Sequence, residues 1–400
     1  MGLPYEVYRY FLVTLDPLHV GTGGYRLGRV DLSIMREPGT RLPKIPGTTL
    51  HGTLRHYAAY RYGRPQCAKQ GEHCGQVTCP ICYTFGNAKS EGGGFAGVVS
   101  VGDARILLFP VYSRLGPLWV TTLSLLQETG FQFKLEGEQN AEAWTTAAQP
   151  AGQAAPSNRF LLNLGWLALE VAPGAKISAT NGNAMPFQAV QDRLVIIPER
   201  LFSQVVNSNL EVRTSVSIDP ETGAATDRAL FTYEAIPRAT YLWFEAVVDD
   251  YRGGFPHYAR LQEWKKVLAG KNEQEITKLL TERGGYSLPE DQGAPGDALQ
   301  KAREEFASTV RTAIQQYESS YLNSCRWHPG NDNTHASSRS SPVHETPADV
   351  VRAGLEWAEH LGIGGMGTRG FGRVKLAAEP QKLMDNSKEG LSNERGNCAS

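Results

Sequence analysis

Cys67, Cys74, Cys79 and Cys82 fall within sixteen residues, whereas Cys325 and Cys398 stand apart. Met1-Gly-Leu-Pro-Tyr-Glu has neither the basic nor the apolar region of a secretory signal, so a cluster ending in Cys79-Pro-Ile-Cys82 reads as a metal knuckle rather than a disulfide framework. Four thiolates close a tetrahedron and leave no position for a reacting water, so the ion expected is structural Zn²⁺. The first pair is spaced Cys-x6-Cys, which keeps His73 open as an alternative to Cys74. A catalytic zinc deaminase needs His-x-Glu upstream and Pro before its Cys-x-x-Cys; Thr78 precedes Cys79 here, and that reading fails.

A second stretch suits phosphate chemistry. Gly362-Ile-Gly-Gly-Met-Gly-Thr-Arg-Gly-Phe-Gly372 carries six glycines in eleven residues, a backbone able to take positive φ and to lie close against a ligand. Arg369 and Arg373 are spaced to meet phosphates, with Gly364, Gly365, Gly367 and Gly370 as the contact backbone. No Gly-Lys-Ser/Thr follows, so this is not a Walker A loop. It lies between an expected helix and an expected strand, the reverse of a Rossmann turn.

The formal net charge of −1 excludes a chain coated in basic residues, so any nucleic-acid contact must be local. Residues 1–66 hold nine Lys and Arg against four Asp and Glu, a net +5. No apolar run approaches the length of a membrane span, and a soluble, cytoplasmic protein is expected. With 41% hydrophobic residues over 400 positions, two or three units can share a substantial core.

The elements that must position these residues follow an α+β pattern. Strands are expected over Glu6–Leu15, Gly97–Val111, Leu164–Val171 and Leu194–Ile197, with a short helix opening at Pro198. Thr48 or Thr49 can cap a helix to about Tyr62, with Leu50, Leu54 and Ala58 on one face. Glu211–Ile218 and Ala229–Ile236 flank Asp219-Pro-Glu-Thr-Gly223, a hairpin loop by its turn chemistry. Residues 251–346 read as an inserted helical unit and a Ser/Asn/His-rich linker. A helix from Pro347 to His360 and a strand over Phe371–Leu376 then return to the core of residues 1–250, leaving 379–400 as a disordered tail.

The motifs converge on a family. His19-Val-Gly-Thr-Gly23, Gly28-Arg-Val-Asp31-Leu, Pro43-Lys-Ile-Pro-Gly-Thr-Thr-Leu-His-Gly-Thr-Leu-Arg55, Phe85-Gly86, Gly102-Asp-Ala-Arg-Ile-Leu-Leu-Phe-Pro110 and the Gly362–Gly372 loop, in this order, resemble the RAMP superfamily of CRISPR effectors. Within it the chain is similar to the backbone nuclease subunits of type III-B complexes. The resemblance spans residues 1–125, 190–250 and 350–376. It implies a ferredoxin-like core related to RNA-recognition motifs, with a zinc knuckle at 67–82 and a thumb hairpin at 210–236. It also implies a helical filament of copies along a guide crRNA, flanked by other effector subunits and paired with a complementary target RNA.

The same resemblance gives Asp31 as the residue of the target-cleavage loop, in a reaction dependent on a divalent metal, Mg²⁺ or Mn²⁺, with the adjacent 2′-hydroxyl as nucleophile. A carboxylate there can ligate the metal or accept the hydroxyl proton. His19 is a candidate acid or base, and Glu234 at the hairpin base is another. The amino end of the helix after Gly47 offers N–H groups and the Thr48 and Thr49 hydroxyls to a phosphate, with Lys44 before it and Arg55 along it. The family's motif has Lys where this chain has His51, a weaker phosphate contact because neutral imidazole carries no charge. Two other readings stay open: a non-catalytic scaffold subunit of the same assembly, and a metal-independent nuclease that processes precursor guide RNA.

Overall fold

The computed structural model describes residues 5–23, 30–69, 71–87, 94–135, 141–148, 159–179, 185–216, 221–224, 231–286, 296–321 and 346–383. The Gly28-Arg29 part of the Asp31 motif, most of the expected hairpin tip, the linker after Tyr321 and residues 384–400 lie outside this set.

The chain folds as a mixed α/β protein around a large mixed sheet, twelve-stranded among the described residues. Strand β1 (Glu6–Thr14) is followed by helix α1 (Gly47–Arg61) and strand β2 (Ala104–Ser113). A separate two-stranded hairpin comprises β3 (Glu211–Ser215) and β4 (Phe231–Ala235). Strand β5 (Tyr241–Val248), helix α2 (Pro347–Leu361) and strand β6 (Val374–Leu376) complete the centre. In the sheet these lie in the order β6-β1-β5-β2, each neighbour antiparallel. Beyond β2 the sheet continues through Gly116–Thr121, Leu194–Ile196, Trp144–Thr145, Leu167–Pro173 and Phe160–Leu164, with two parallel pairings among them.

β1 is covered on both faces, which is why its sequence is apolar at successive positions rather than at alternate ones. Tyr10 and Leu12 pack with Leu50, Leu54 and Ala58 of α1 and with α2. Phe11 points to the other side, with Trp243, Tyr241, Phe131 and Phe187. The two helices touch through backbone: a Cβ on Gly354 would meet the Leu54 carbonyl oxygen at 2.6 Å. Helix α2 begins where Asp349 accepts from the Thr346 backbone N–H and hydroxyl, a capping pair readable from Thr-Pro-Ala-Asp.

Several expected elements change shape. The Gly97–Val111 strand is two, Val99–Val101 and β2, interrupted at Gly102-Asp103, and both pair with β5. The Leu164–Val171 strand is instead a tight hairpin, Phe160–Leu164 against Leu167–Pro173, because Gly165 turns the chain at φ +66°. Helix α1 takes Pro46 as its N-cap, so neither Thr48 nor Thr49 caps it. Part of the expected tail is instead strand, since Gln381–Leu383 pairs with Val7–Arg9 of β1, and the rest of it, 384–400, lies outside the described residues.

The inserted helices Tyr258–Ala269, Glu273–Glu282 and Gly296–Gln316 do not form a separate core. Trp264, Phe306 and Val310 are continuous with the main one, and Tyr317 meets Tyr62 edge-on at 5.7 Å. No helix among the described residues is long and apolar enough to cross a membrane.

Candidate functional site

Asp31 stands exposed on the loop between β1 and α1, yet it is held. Its Oδ2 accepts from the Thr232 backbone N–H at 2.7 Å and from the Thr232 hydroxyl at 3.0 Å, and its own N–H donates to Thr232 Oγ1 at 3.2 Å. The loop continues beside the hairpin strand: Leu32 N donates to Thr232 O, and Glu234 N donates to Leu32 O. The Thr232 N–H first, and its hydroxyl second, hold the Asp31 carboxyl below the usual carboxylate range, because both bonds favour the ionised form. No other residue donates to Oδ1 among the described ones.

His19 lies against the same strand two residues on. Its Nδ1 is 2.6 Å from the Glu234 carbonyl oxygen, so in the neutral ring Nδ1 carries the proton and Nε2, beside Gly21, has the lone pair. The His19 carbonyl accepts from Gly365 N at 2.9 Å. Gly364 sits at φ +86° with its Cβ position only 2.4 Å from that same carbonyl, so at Gly364 the close approach is to His19 backbone. Gly370, by contrast, faces open space at φ +79°. Leu32 and Met366 pack with Phe231, Tyr233 and Phe371, so the Asp31 loop, the hairpin base and the glycine loop share one small apolar cluster.

Glu234, the other acid or base candidate, is buried, and its Oε2 is ion-paired with Arg36 at 2.7 Å. Arg36 in turn bonds Asn207 and the Ile34 carbonyl. Arg369 is exposed, lies 5.4 Å over the Phe231 ring and has no carboxylate partner among the described residues. Arg373 is paired with Asp16.

The family model of the RAMP superfamily matches residues 11–276. The chain belongs to the RAMP superfamily. It is 30% identical over 252 residues to the CRISPR system Cmr endoribonuclease Cmr4 of Pyrococcus furiosus, covering 60% of this chain and 80% of that protein. A shorter match, 36% identical over 73 residues, is to the Cms endoribonuclease Csm3 of Methanothermobacter thermautotrophicus, covering 18% of this chain and 29% of that one. Among solved structures, the oligomeric Cmr4 of Pyrococcus furiosus aligns over 73% of this chain and 93% of its own, at 19% identity and a TM-score of 0.38. A chain of the type III-B Cmr-beta complex bound to cognate target RNA aligns over 60% and 84%, at 15% identity and a TM-score of 0.45.

In this RAMP chain the amino end of α1 already holds a carboxylate. Asp103 Oδ1 accepts from Gly47 N at 2.7 Å, while its Oδ2 pairs with Lys44 at 2.6 Å; Lys44 also pairs with Glu37. Thr48 is exposed and Thr49 half-buried in the first turn beside them. His51 packs edge-on against Phe85 at 5.1 Å, and burial, then the nearby Arg55 charge, push its pKa down. Among the described residues the net +5 of residues 1–66 is therefore largely not an open patch. Arg9, Arg36, Lys44 and Arg61 are ion-paired, Arg55 and Arg64 are buried at the cysteines, Arg41 is exposed, and Arg26 and Arg29 lie outside the described residues.

Cys67, Cys74, Cys79 and Cys82 converge with all sulfurs within 4.8 Å of one another, a group that could hold a metal ion. Cys67 to Cys79, Cys74 to Cys82, and Cys67 to Cys82 measure 3.8, 3.8 and 3.7 Å between sulfurs. Sulfurs about 2.3 Å from a central zinc stand about 3.8 Å apart in a tetrahedron, so the donor set fits. His73 is not part of the group. Arg55 Nη2 lies 3.8 Å from Cys82 Sγ and Arg64 Nη1 3.9 Å from Cys74 Sγ.

Thr232, Arg36, Asp103 and Arg64 are the site residues that sequence reasoning passed over. Asp103 sits inside a quoted motif, and Arg64 three residues before Cys67, so position alone could have flagged those two.

Proposed function

We propose that this chain is the backbone subunit of a type III-B CRISPR ribonucleoprotein, binding guide crRNA and cutting complementary target RNA at regular intervals. The relative named Cmr endoribonuclease Cmr4, matched over most of its length, supports the class of activity. The carrying observation is the Asp31 carboxylate, ionised, exposed and, among the described residues, fixed through Oδ2 at the base of the β3–β4 hairpin.

The core reads as ferredoxin-like, since β1, α1, β2, β5, α2 and β6 follow the β-α-β-β-α-β order with strands arranged 4-1-3-2. We assign residues 1–250 to this core, with a knuckle at 67–82 and the hairpin at 210–236 as thumb. Residues 251–346 are its insertion and 347–378 its return. The tetrahedral spacing of the sulfurs favours Zn²⁺; four thiolates around it leave a net charge of −2, which the Arg55 and Arg64 guanidiniums offset.

In the reaction the target's 2′-oxygen attacks the adjacent phosphorus as its proton leaves. The P–O5′ bond breaks, the leaving 5′-oxygen takes a proton from solvent, and a cyclic phosphate and a 5′-hydroxyl result. Asp31 Oδ1 is the oxygen available to accept that proton; alternatively Asp31 would hold a divalent ion, Mg²⁺ or Mn²⁺, which would supply charge stabilisation to the reacting phosphate. Lone carboxylate ligation suits Mg²⁺, which commonly uses one or two protein carboxylates plus phosphate. Glu234 in its ion pair is a tie between loop and hairpin, and His19 orients the Glu234 backbone while keeping Nε2 as an acceptor. RNA contact falls to Arg369 and the open glycines beside it, to Thr48 and Thr49, and to neighbouring copies and flanking subunits along the filament.

The test is cleavage of labelled complementary RNA by the reconstituted, guide-loaded complex with Mg²⁺. Periodic cuts should vanish in Asp31→Ala while target binding survives. Unchanged cuts would leave this chain as scaffold.

A further inference from the structure

The bond set around Asp31 is unusual for an exposed side chain. A surface carboxylate ordinarily samples several rotamers, yet here one threonine engages it three times, through its N–H and through a hydroxyl that both donates to Oδ2 and accepts from the Asp31 N–H. All three bonds are made with one residue of the hairpin, Thr232, and Asp31's own backbone adds only a lesser hold on the carboxylate. Two residues further on, Glu234 ties the same loop through Arg36, so loop and hairpin base are zipped side by side.

We infer that Thr232 is a positioning residue for RNA cleavage, its hydroxyl aiming Asp31 Oδ1 at the scissile linkage. The hairpin thereby couples its own seating on the guide–target duplex to the aim of the carboxylate. This rests on the reading of Asp31 as the cleavage residue. The carboxylate sits on a loop, and the strand Phe231–Ala235 beside it supplies the rigidity. Fixing a reacting group within a fraction of an ångström is worth orders of magnitude in rate, and a side chain held by only one oxygen keeps the other for chemistry.

The experiment uses the guide-loaded complex and compares Thr232→Val, Thr232→Ser and Asp31→Asn by single-turnover cleavage at saturating target, with target affinity measured separately. Valine keeps the size, β-propensity and both backbone bonds of Thr232 and removes only the hydroxyl, so the fold is retained. Loss of the hydroxyl's bond to the carboxylate, together with the one it accepts from the Asp31 N–H, predicts a cleavage rate lower by about 10- to 100-fold in Thr232→Val, at unchanged affinity and unchanged cut spacing. Serine, with the hydroxyl restored, should return to within a few-fold of wild type. A wild-type rate in Thr232→Val overturns the inference while Asp31→Asn stays inactive, leaving the parent reading intact. Equal losses in the valine and serine variants, or a loss carried by target affinity, would assign Thr232 to hairpin packing and likewise overturn it. An active Asp31→Asn removes the parent reading and this one with it.

Discussion

The Arg55 guanidinium faces the sulfur of Cys82 at 3.8 Å and donates to the carbonyls of Cys67 and Gly86 at 2.8 and 2.6 Å, so this side chain braces the cysteine knuckle from inside the protein. Arg55→Ala removes a buried cation and leaves two carbonyls without their donor. Stability should fall by about 2–4 kcal/mol in chemical denaturation. The RNA affinity of the folded fraction should stay at its wild-type value. A stable variant with weakened RNA binding would instead return Arg55 to the RNA surface.

The knuckle itself gives a second prediction. Cys74→Ala should lower zinc content, read by elemental analysis of the purified protein, from about one ion per chain toward zero, whereas His73→Ala should leave it unchanged. Because metal affinity here is folding free energy, chelation should destabilise the wild type and add nothing to Cys74→Ala. Zinc retained in full by Cys74→Ala would mean that another ligand, His73 first among them, completes the site.

Glu234 and Arg36 form the third test, by a double-mutant cycle. Each partner is largely buried, so Glu234→Gln or Arg36→Met alone strands the other charge, at an expected 2–4 kcal/mol. The pair Glu234→Gln and Arg36→Met should recover part of that loss, a coupling of about 1–3 kcal/mol. Additive losses would show that the ion pair does not join loop to hairpin.

The centre of the fold is legible in sequence because one signal dominates each element there. Leu50, Leu54 and Ala58 repeat at helical spacing, Thr346 to Asp349 make a capping box, and Asp219-Pro-Glu-Thr-Gly223 punctuates two β-rich runs. Tyr241–Val248 is less legible: eight nearly continuous apolar residues fit a doubly covered strand or a buried helix equally well. The split at Gly102-Asp103 follows from pairing with β5, a long-range fact with no local mark. Of the site, the four cysteines announce themselves by type and spacing, and Asp31 only through its motif. Thr232 carries no such mark, since a threonine alternating in a strand is ordinary until the strand is placed beside residue 31. The basic excess of residues 1–66 misleads for the same reason: Glu234, Glu245 and Glu356, which neutralise three of its cations, are contributed from far along the chain.

Asp103 provides a pH-dependent prediction. Burial raises its pKa, but the Lys44 ammonium and the Gly47 N–H at the start of α1 outweigh that and hold the carboxyl below its usual value. A depressed folded-state pKa means the stabilisation is fully present above the unfolded value of about 3.9 and is lost as pH falls through the folded one. The carboxylate is well exposed and screened, so Asp103→Asn should cost only about 1 kcal/mol at pH 7. That difference, read as a shift in urea midpoint, should hold constant down to about pH 5 and shrink toward pH 3. The same variant asks who occupies the helix end. With the carboxylate in place a phosphate at Gly47 N is opposed by like charge, so if RNA bound there Asp103→Asn would tighten it. Unaltered RNA affinity, the expected outcome, confines the Gly47 N–H to a structural role, in which Asp103 links the helix to the sheet strand that follows it, and leaves RNA contact at this end to the Thr48 and Thr49 hydroxyls.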